Sequence, residues 1–122
     1  MAAKRPEELH PLFVKAFNAA DVEALVALYE PGAVLAMAEG AARGSAAIRE
    51  AYRGFLAAGA AIRLETLSVL ECGEIALLQG RWVIEGTERA PVRREGRNAE
   101  VARRQGSGEW LFLVDNPNSP GF

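Results

Sequence analysis

The sequence predicts an α+β protein with helices in its N-terminal half and an antiparallel sheet in its C-terminal half. Apolar residues recur at helical spacing early in the chain, whereas from Ala60 onward apolar and polar residues alternate with a period of two. The links between the alternating segments are too short for parallel crossovers, which favours antiparallel strands. With 122 residues, half of them hydrophobic, the chain has the size of one domain with one core. We therefore expect a single domain over residues 1–122.

Three helices are predicted from stripes of apolar residues with recognisable ends. The first covers about residues 6–18. The second begins after Asp21, whose side chain is a good N-cap, and ends at Pro31-Gly32. The third begins at Gly44-Ser45 and ends at Gly59. The helices therefore precede most of the sheet along the chain.

The strands are predicted from short apolar or alternating segments that are separated by turn residues. They cover residues 33–38 with a brief return arm at 41–43, then 62–70, 75–85, 98–105 and 110–115. The Pro and Asn residues of segment 116–122 do not continue a strand, so this segment is expected to be a terminal tail. The Arg-rich stretch within residues 86–97 is expected to be a solvated hairpin tip, with an anion-binding loop as the alternative.

Composition and charge argue against several classes of function. A net charge of -2 does not favour binding to nucleic acid or to an anionic membrane. No apolar run reaches the roughly 18 residues of a membrane-spanning helix, and the N-terminus lacks the pattern of a secretory signal, so a cytoplasmic protein is expected. One Cys, Cys72, and one His, His10, cannot assemble a Cys/His zinc site, so we expect no metal and no cofactor. Because His10 lies outside the apolar stripe of the first helix, it is expected to face solvent.

Several local sequences resemble members of the nuclear-transport-factor-2-like superfamily. These stretches are Phe17-Asn-Ala-Ala-Asp21, Leu25-Val-Ala-Leu-Tyr29-Glu-Pro-Gly-Ala-Val34, Gly44-Ser-Ala-Ala-Ile-Arg-Glu-Ala-Tyr52 and Gly106-Ser-Gly-Glu-Trp110. They are similar to segments of ketosteroid isomerases and SnoaL-like polyketide cyclases, and the ending from Trp110 to Asp115 is similar to small uncharacterised bacterial members. The resemblance covers almost the whole chain. It implies a cone-shaped fold in which three helices pack over the concave face of a curved antiparallel sheet, around a pocket for a small molecule.

The resemblance also implies where the groups of a ketosteroid isomerase would lie. That reaction requires a carboxylate base, together with a Tyr and a protonated Asp that donate hydrogen bonds to the substrate oxygen. Alignment puts Phe13 at the position of the Tyr and Met37 at the position of the base, whereas Glu100 stands at the position of the protonated Asp. Because loss of a catalytic base removes about 10²- to 10⁴-fold of rate, ketosteroid isomerisation is not expected.

Strand alternation from Glu100 predicts which other residues line the pocket. The expected acid–base candidates are Glu100 and Asp115, and the expected ligand-binding residues are Phe13, Met37, Tyr52, Phe55, Gln79, Arg81, Val83, Arg104 and Leu113. The inward charges either contact a ligand or only pair with one another, and the sequence leaves both readings open.

The other face of the strand at 75–85 is equally apolar, which indicates a second packing surface. Since relatives with this fold commonly pair through the outer face of the sheet, we expect a homodimer that buries Trp82 together with Trp110 or Phe112.

Two functional hypotheses follow. The first is a protein that binds an apolar, polyketide- or steroid-like small molecule and has no isomerase activity. The alternative is a SnoaL-like enzyme, a cyclase, dehydratase or hydrolase, that uses Glu100 or Asp115 as a general acid or base in an apolar surrounding. A weaker third reading is a structural dimerisation module. The residues do not identify the ligand, the reaction or the pathway.

Overall fold

The computed structural model describes residues 2–119. A 3-10 turn, Pro6–Glu8, leads into three helices: α1, Leu9–Asn18; α2, Val22–Val26; and α3, Ser45–Leu56. The strands are β1, Tyr29–Ala36; β2, Ala41–Arg43; β3, Ala61–Cys72; β4, Ile75–Glu85; β5, Arg93–Arg104; and β6, Trp110–Asn116. The predicted order of helices and strands is therefore present.

The strands form one curved, open sheet in the order β2-β1-β6-β5-β4-β3. The helices pack over it, with α1 against β3 and α3 against β1, and this architecture confirms the predicted α+β class. One pairing departs from the expected antiparallel pattern, because β1 and β6 run parallel. Residues 37–109 separate these two strands along the chain, and so long a connection permits a parallel pair.

The second helix is shorter than its apolar stripe predicts. It ends at Val26, and Tyr29 is the first residue of β1 instead of the last residue of the helical stripe. Tyr29 lies opposite Phe112 of β6, and the backbone N–H of Phe112 donates to the carbonyl of Leu28 at 2.8 Å. Pairing with a distant strand therefore overrides the local helical pattern at this position.

The end of the charged segment 86–97 is strand. β5 begins at Arg93, which lies opposite Glu85, so the expected connection shortens to residues 86–92. Alternation sends Arg93 to the outer face, where it forms an ion pair with Glu95, and sends Arg94 to the concave side of the sheet. The Arg residues of this segment thus divide between two faces.

The expected tail begins later than residue 116. Asn116 belongs to β6, and the carbonyl of Pro117 accepts a hydrogen bond from Trp82 Nε1 at 2.6 Å. The backbone N–H of Ser119 donates to the carbonyl of Arg97 at 2.9 Å. Residues 116–119 are therefore held against β4 and β5, and the rest of the predicted tail, residues 120–122, lies outside the described residues.

The aromatic residues expected in a dimer contact are buried within the chain itself. Trp82, Trp110 and Phe112 are 8%, 3% and 1% exposed. They pack into the core beneath the helices, so they cannot form an outer contact surface, and that part of the expectation is wrong. No helix within residues 2–119 is long and apolar enough to cross a membrane.

Candidate functional site

A cavity of about 310 Å³ lies between the helices and the concave face of the sheet. Its walls are mainly apolar and come from both layers: Phe13, Phe17, Met37, Phe55, Ile62, Leu64, Trp82, Ile84 and Phe112. Polar side chains gather at the buried end: His10, Tyr52, Asn98, Glu100 and Asp115. The opposite end is open and carries the exposed residues Val92, Arg94 and Asn118. A mostly apolar cavity with a few convergent polar groups is typical of a small-molecule site.

Two carboxyl groups lie side by side at the buried end. Glu100 of β5 and Asp115 of β6 are direct partners across the antiparallel ladder, and they are 4% and 6% exposed. Burial raises the pKa of Asp115 well above its usual value, and the negative charge of Glu100 raises it further. The raised pKa favours the protonated form of Asp115, in which the carboxyl group can act as a hydrogen-bond donor.

Two tyrosines extend the hydrogen bonds from Asp115. The hydroxyl of Tyr29 donates to Asp115 Oδ2 at 2.5 Å, and the hydroxyl of Tyr52 lies 2.5 Å from that of Tyr29. Since the single hydroxyl proton of Tyr29 is used toward Asp115, Tyr52 must be the donor to Tyr29. Burial is the largest cause that raises the pKa of both phenols well above the usual value. Both side chains are therefore neutral.

His10 pairs with the other carboxyl group. Its Nε2 contacts Glu100 Oε1, its Nδ1 lies 2.8 Å from Thr66 Oγ1 of β3, and its ring stacks near Phe112. The expectation that His10 faces solvent is wrong, because α1 packs against β3 and leaves this side chain 2% exposed. The sequence contains a signal for the inward position of His10, since His10, Phe13 and Phe17 share one face of a helix at spacings of three and four.

Asn98 completes the cluster and leaves one acceptor unused. Its Nδ2 donates to Glu100 Oε2 at 2.7 Å, whereas its Oδ1 is buried and has no hydrogen-bond partner among residues 2–119. Gly80 lies opposite on β4, and a Cβ there would come within 2.9 Å of the Asn98 amide atoms. Because Gly80 has no side chain, the amide group of Asn98 fits beside it.

Six of the predicted site residues line the cavity, and they come from both the helices and the sheet. They are Phe13, Met37, Tyr52, Phe55, Glu100 and Asp115. Of the groups that meet at the buried end, His10, Tyr29 and Asn98 were not among the predicted site residues. His10 and Tyr29 were missed because each was assigned from local periodicity alone.

Three predicted lining residues of β4 face away from the cavity. Leu78 lies opposite Glu100, so the inward residues of β4 are the even-numbered ones, and Gln79, Arg81 and Val83 point to the outer face. Arg81 forms an ion pair there with Glu65 of β3. The assignment of this strand was wrong by one residue, which moves every side chain to the other face.

Two further predicted residues also lie outside the cavity. Arg104, at the end of β5, is exposed and lies 3.4 Å from Glu74. Leu113 is displaced by a β-bulge, because Val101 lies opposite Val114 whereas the next residue of β5 lies opposite Phe112. Leu113 is the extra residue of this bulge, so Phe112 and Asp115 face the cavity although they are three positions apart.

The polar groups at the buried end are connected to one another. Its groups form a connected series in the order Tyr52, Tyr29, Asp115, Glu100, His10 and Thr66. Within residues 2–119, no group of three or more His, Cys, Asp or Glu side chains is arranged to hold a metal ion. The series contains both a carboxyl group with a raised pKa, Asp115, and a second carboxyl group with a histidine partner, Glu100, the combination that general acid–base chemistry uses.

The sequence matches the SnoaL-like domain family over residues 12–110, so the chain belongs to that family. This confirms the superfamily to which the resemblance pointed. No protein of curated function matches the sequence.

Solved structures share the fold at low sequence identity. A ketosteroid isomerase-like protein from Erwinia carotovora atroseptica is 20% identical, with a TM-score of 0.74 and coverage of 93% of this chain and 94% of that one. A protein of unknown function with a cystatin-like fold from Nostoc punctiforme is 16% identical, with a TM-score of 0.80 and coverage of 95% and 90%. An NTF2-like protein from Novosphingobium aromaticivorans is 23% identical, with a TM-score of 0.77 and coverage of 89% and 75%. At these identities the similarity establishes the fold and does not assign a reaction.

Proposed function

We propose that this chain is an acid–base enzyme that acts on a small, mainly apolar molecule with an oxygen function, of the polyketide- or steroid-like kind. The observation that carries the proposal is the buried pair of carboxyl groups, Glu100 and Asp115, at the closed end of an apolar cavity. Two carboxyl groups in different hydrogen-bonding environments are suited to separate acid and base roles. Glu100 has His10 and Asn98 as partners, whereas Asp115 has Tyr29.

In this proposal Glu100 accepts a proton from a carbon next to a substrate carbonyl. The electron pair of the broken C–H bond moves to the carbonyl oxygen, which becomes an enolate. Asp115 holds a proton because of its raised pKa and donates a hydrogen bond to that oxygen. Glu100 then returns the proton to carbon or to a departing hydroxyl group. Enolate formation of this kind is the first step of an aldol cyclisation or of a dehydration, which favours a cyclase or dehydratase over a hydrolase.

The second candidate is a binding protein without turnover. Phe13 and Met37 line the cavity at the two positions where a ketosteroid isomerase has its Tyr and its base. Ketosteroid isomerisation therefore stays excluded from the proposal. A binder would use the same cavity and would keep the buried polar groups only to orient its ligand.

The two candidates are separated by hydrogen exchange of a simple ketone. 2-Tetralone is a two-ring ketone with acidic C–H bonds, and its exchange in D₂O is followed by proton NMR. The proposed enzyme accelerates this exchange, and Glu100→Gln lowers the protein-dependent rate by about 10²-fold or more. Glu65→Gln, on the outer face beside Arg81, is the control and keeps the full rate.

An absence of protein-dependent exchange, together with saturable binding of 2-tetralone, would favour the binding protein. Equal rates for the wild-type protein and Glu100→Gln would remove Glu100 from its proposed role.

We also propose a homodimer through the outer face of the sheet, as expected, but with residues other than Trp82, Trp110 and Phe112. An apolar row crosses the outer face of five strands in register: Val34, Val114, Val101, Leu77 and Leu70. Leu70, Leu77 and Val114 are 62%, 38% and 41% exposed, which is unusual for large apolar side chains in adjacent positions. In a dimer with a two-fold axis, the apolar row of each copy would pack against the same row of the other copy.

A further inference from the structure

The inner face of β5 presents a graded series of groups from the open end of the cavity to its buried end. Arg94 is at the open end, Gly96 follows beneath the ring of Trp82, and then come Asn98 and Glu100. Alternate residues of a strand share a face, and six residues of strand span about 20 Å. A ligand that lies along β5 therefore meets a cation, an aromatic wall, a hydrogen-bond acceptor and the acid–base groups in that order.

Two of these groups lack partners within the described chain. The side chain of Arg94 has no ion pair or hydrogen bond with any of residues 2–119, although its neighbours Arg93 and Glu95 pair with each other. Asn98 Oδ1 is also without a partner, and Asn98 is 3% exposed. Buried polar atoms without partners are uncommon in folded proteins and indicate a missing donor. The free cation and the free acceptor both border the same cavity.

From this arrangement we propose that the substrate is a planar, ring-containing carboxylic acid with a hydroxyl group at its far end. The carboxylate binds Arg94 at the open end, the rings lie against Trp82, and the hydroxyl donates to Asn98 Oδ1 next to Glu100. The reverse orientation of the substrate is disfavoured, because its carboxylate would then lie against the carboxyl groups of Glu100 and Asp115. The inference rests on the proposed function in using the same cavity, and it adds the chemical class of the substrate.

The probe is 6-hydroxy-2-naphthoate, in which two fused rings separate a carboxylate from a hydroxyl group. Its affinity is measured by titration calorimetry beside that of 2-naphthol, which lacks the carboxylate, and 6-methoxy-2-naphthoate, which has no hydroxyl proton. We expect 6-hydroxy-2-naphthoate to bind about tenfold more tightly than either compound. 2-Naphthol loses the charge-assisted bond to Arg94 and 6-methoxy-2-naphthoate loses the buried hydrogen bond to Asn98, and one such bond corresponds to about a tenfold change in affinity. Arg94→Gln should remove the advantage over 2-naphthol and leave the affinity for 2-naphthol unchanged.

Arg93→Gln is the matched control, because Arg93 is the adjacent residue of the same strand and faces the outer side. It should bind all three compounds as the wild-type protein does. Equal affinities for the three compounds, or equal losses in Arg94→Gln and Arg93→Gln, would overturn the substrate class and leave the acid–base proposal standing. If none of the compounds binds, while 2-tetralone exchange still depends on Glu100, the substrate class fails alone. Failure of both measurements removes both proposals.

Discussion

Glu100 and Asp115 face each other on neighbouring antiparallel strands, and both side chains are buried at the closed end of the cavity. Each has its own partner on a different element, His10 on α1 for Glu100 and Tyr29 on β1 for Asp115. Glu100 therefore links β5 to helix α1, and Asp115 links β6 to β1. Because they are adjacent and buried, a change in either one alters both stability and the proposed chemistry.

Asp115→Asn should increase stability at neutral pH. Because the pKa of Asp115 is raised in the folded state, its stabilising contribution is complete below the ordinary aspartate pKa of 3.8 and is lost as pH rises through the folded-state pKa. Asn keeps an acceptor for Tyr29 and a donor for Glu100, and it does not ionise. The difference in unfolding free energy between the variant and the wild-type protein should therefore grow from pH 4 to pH 7. Urea unfolding at several pH values measures it, and a difference that shrinks over this range would contradict the raised pKa.

His10→Leu should strongly destabilise the protein. The substitution leaves Glu100 buried without its imidazole partner, which typically costs about 3–5 kcal/mol. Replacing both partners, in His10→Leu with Glu100→Leu, removes the uncompensated charge and should recover much of that loss. Urea unfolding of the two single variants and the double variant measures the coupling. Additive losses would show that the pair is not energetically linked.

Tyr29→Phe should destabilise the protein more than Tyr52→Phe. Tyr29 donates to Asp115 and accepts from Tyr52, so its loss breaks two buried hydrogen bonds and should cost about 1–3 kcal/mol. Tyr52→Phe breaks only one of these bonds and should cost about 0.5–1.5 kcal/mol. Thermal unfolding ranks the two variants. The reverse order would mean that the hydrogen bond between Tyr29 and Asp115 contributes little.

Gly96→Ala should narrow the cavity and disturb Trp82. A Cβ at Gly96 would lie 2.8 Å from Trp82 Cζ2, so the ring must move, at a cost of about 1–3 kcal/mol. Gly106→Ala is the matched control, because nothing lies within 4 Å of its added Cβ, and it should change stability by less than about 0.5 kcal/mol. Chemical unfolding and the binding of 2-tetralone test both variants. Equal behaviour of the two alanine variants would show that Trp82 does not pack on Gly96.

Leu77→Lys should convert the proposed homodimer into a monomer. Leu77 lies in the outer apolar row between Leu70 and Val101, and a buried lysine there would have no partner. Val92→Lys is the control, since Val92 is an equally exposed apolar residue at the cavity mouth. Analytical ultracentrifugation measures the mass of each variant. A wild-type protein that is monomeric at high concentration, or a Leu77→Lys dimer, would disprove the dimer surface.

The sequence by itself determined the order of helices and strands and the α+β class, whereas Glu100 and Asp115 were identified through the resemblance to ketosteroid isomerases. Helical and alternating periods depend on residues close together in the chain, so they can be recognised without the fold. Gly44-Ser45 and the glycines of the last hairpin likewise act through local backbone geometry. The positions of Phe13 and Met37 in the cavity wall could be predicted because the resemblance supplied a template for the helices and the first strand.

Only the tertiary structure decided which side of each strand faces the cavity and which polar groups meet there. The face of β4 depends on its register with β5, and the face of β6 depends on a bulge at Leu113, neither of which has a local signature. His10 and Tyr29 became part of the site because distant strands cover them. Hydrogen-bond partners that lie 86 to 90 residues apart in the chain are brought together only when the sheet forms.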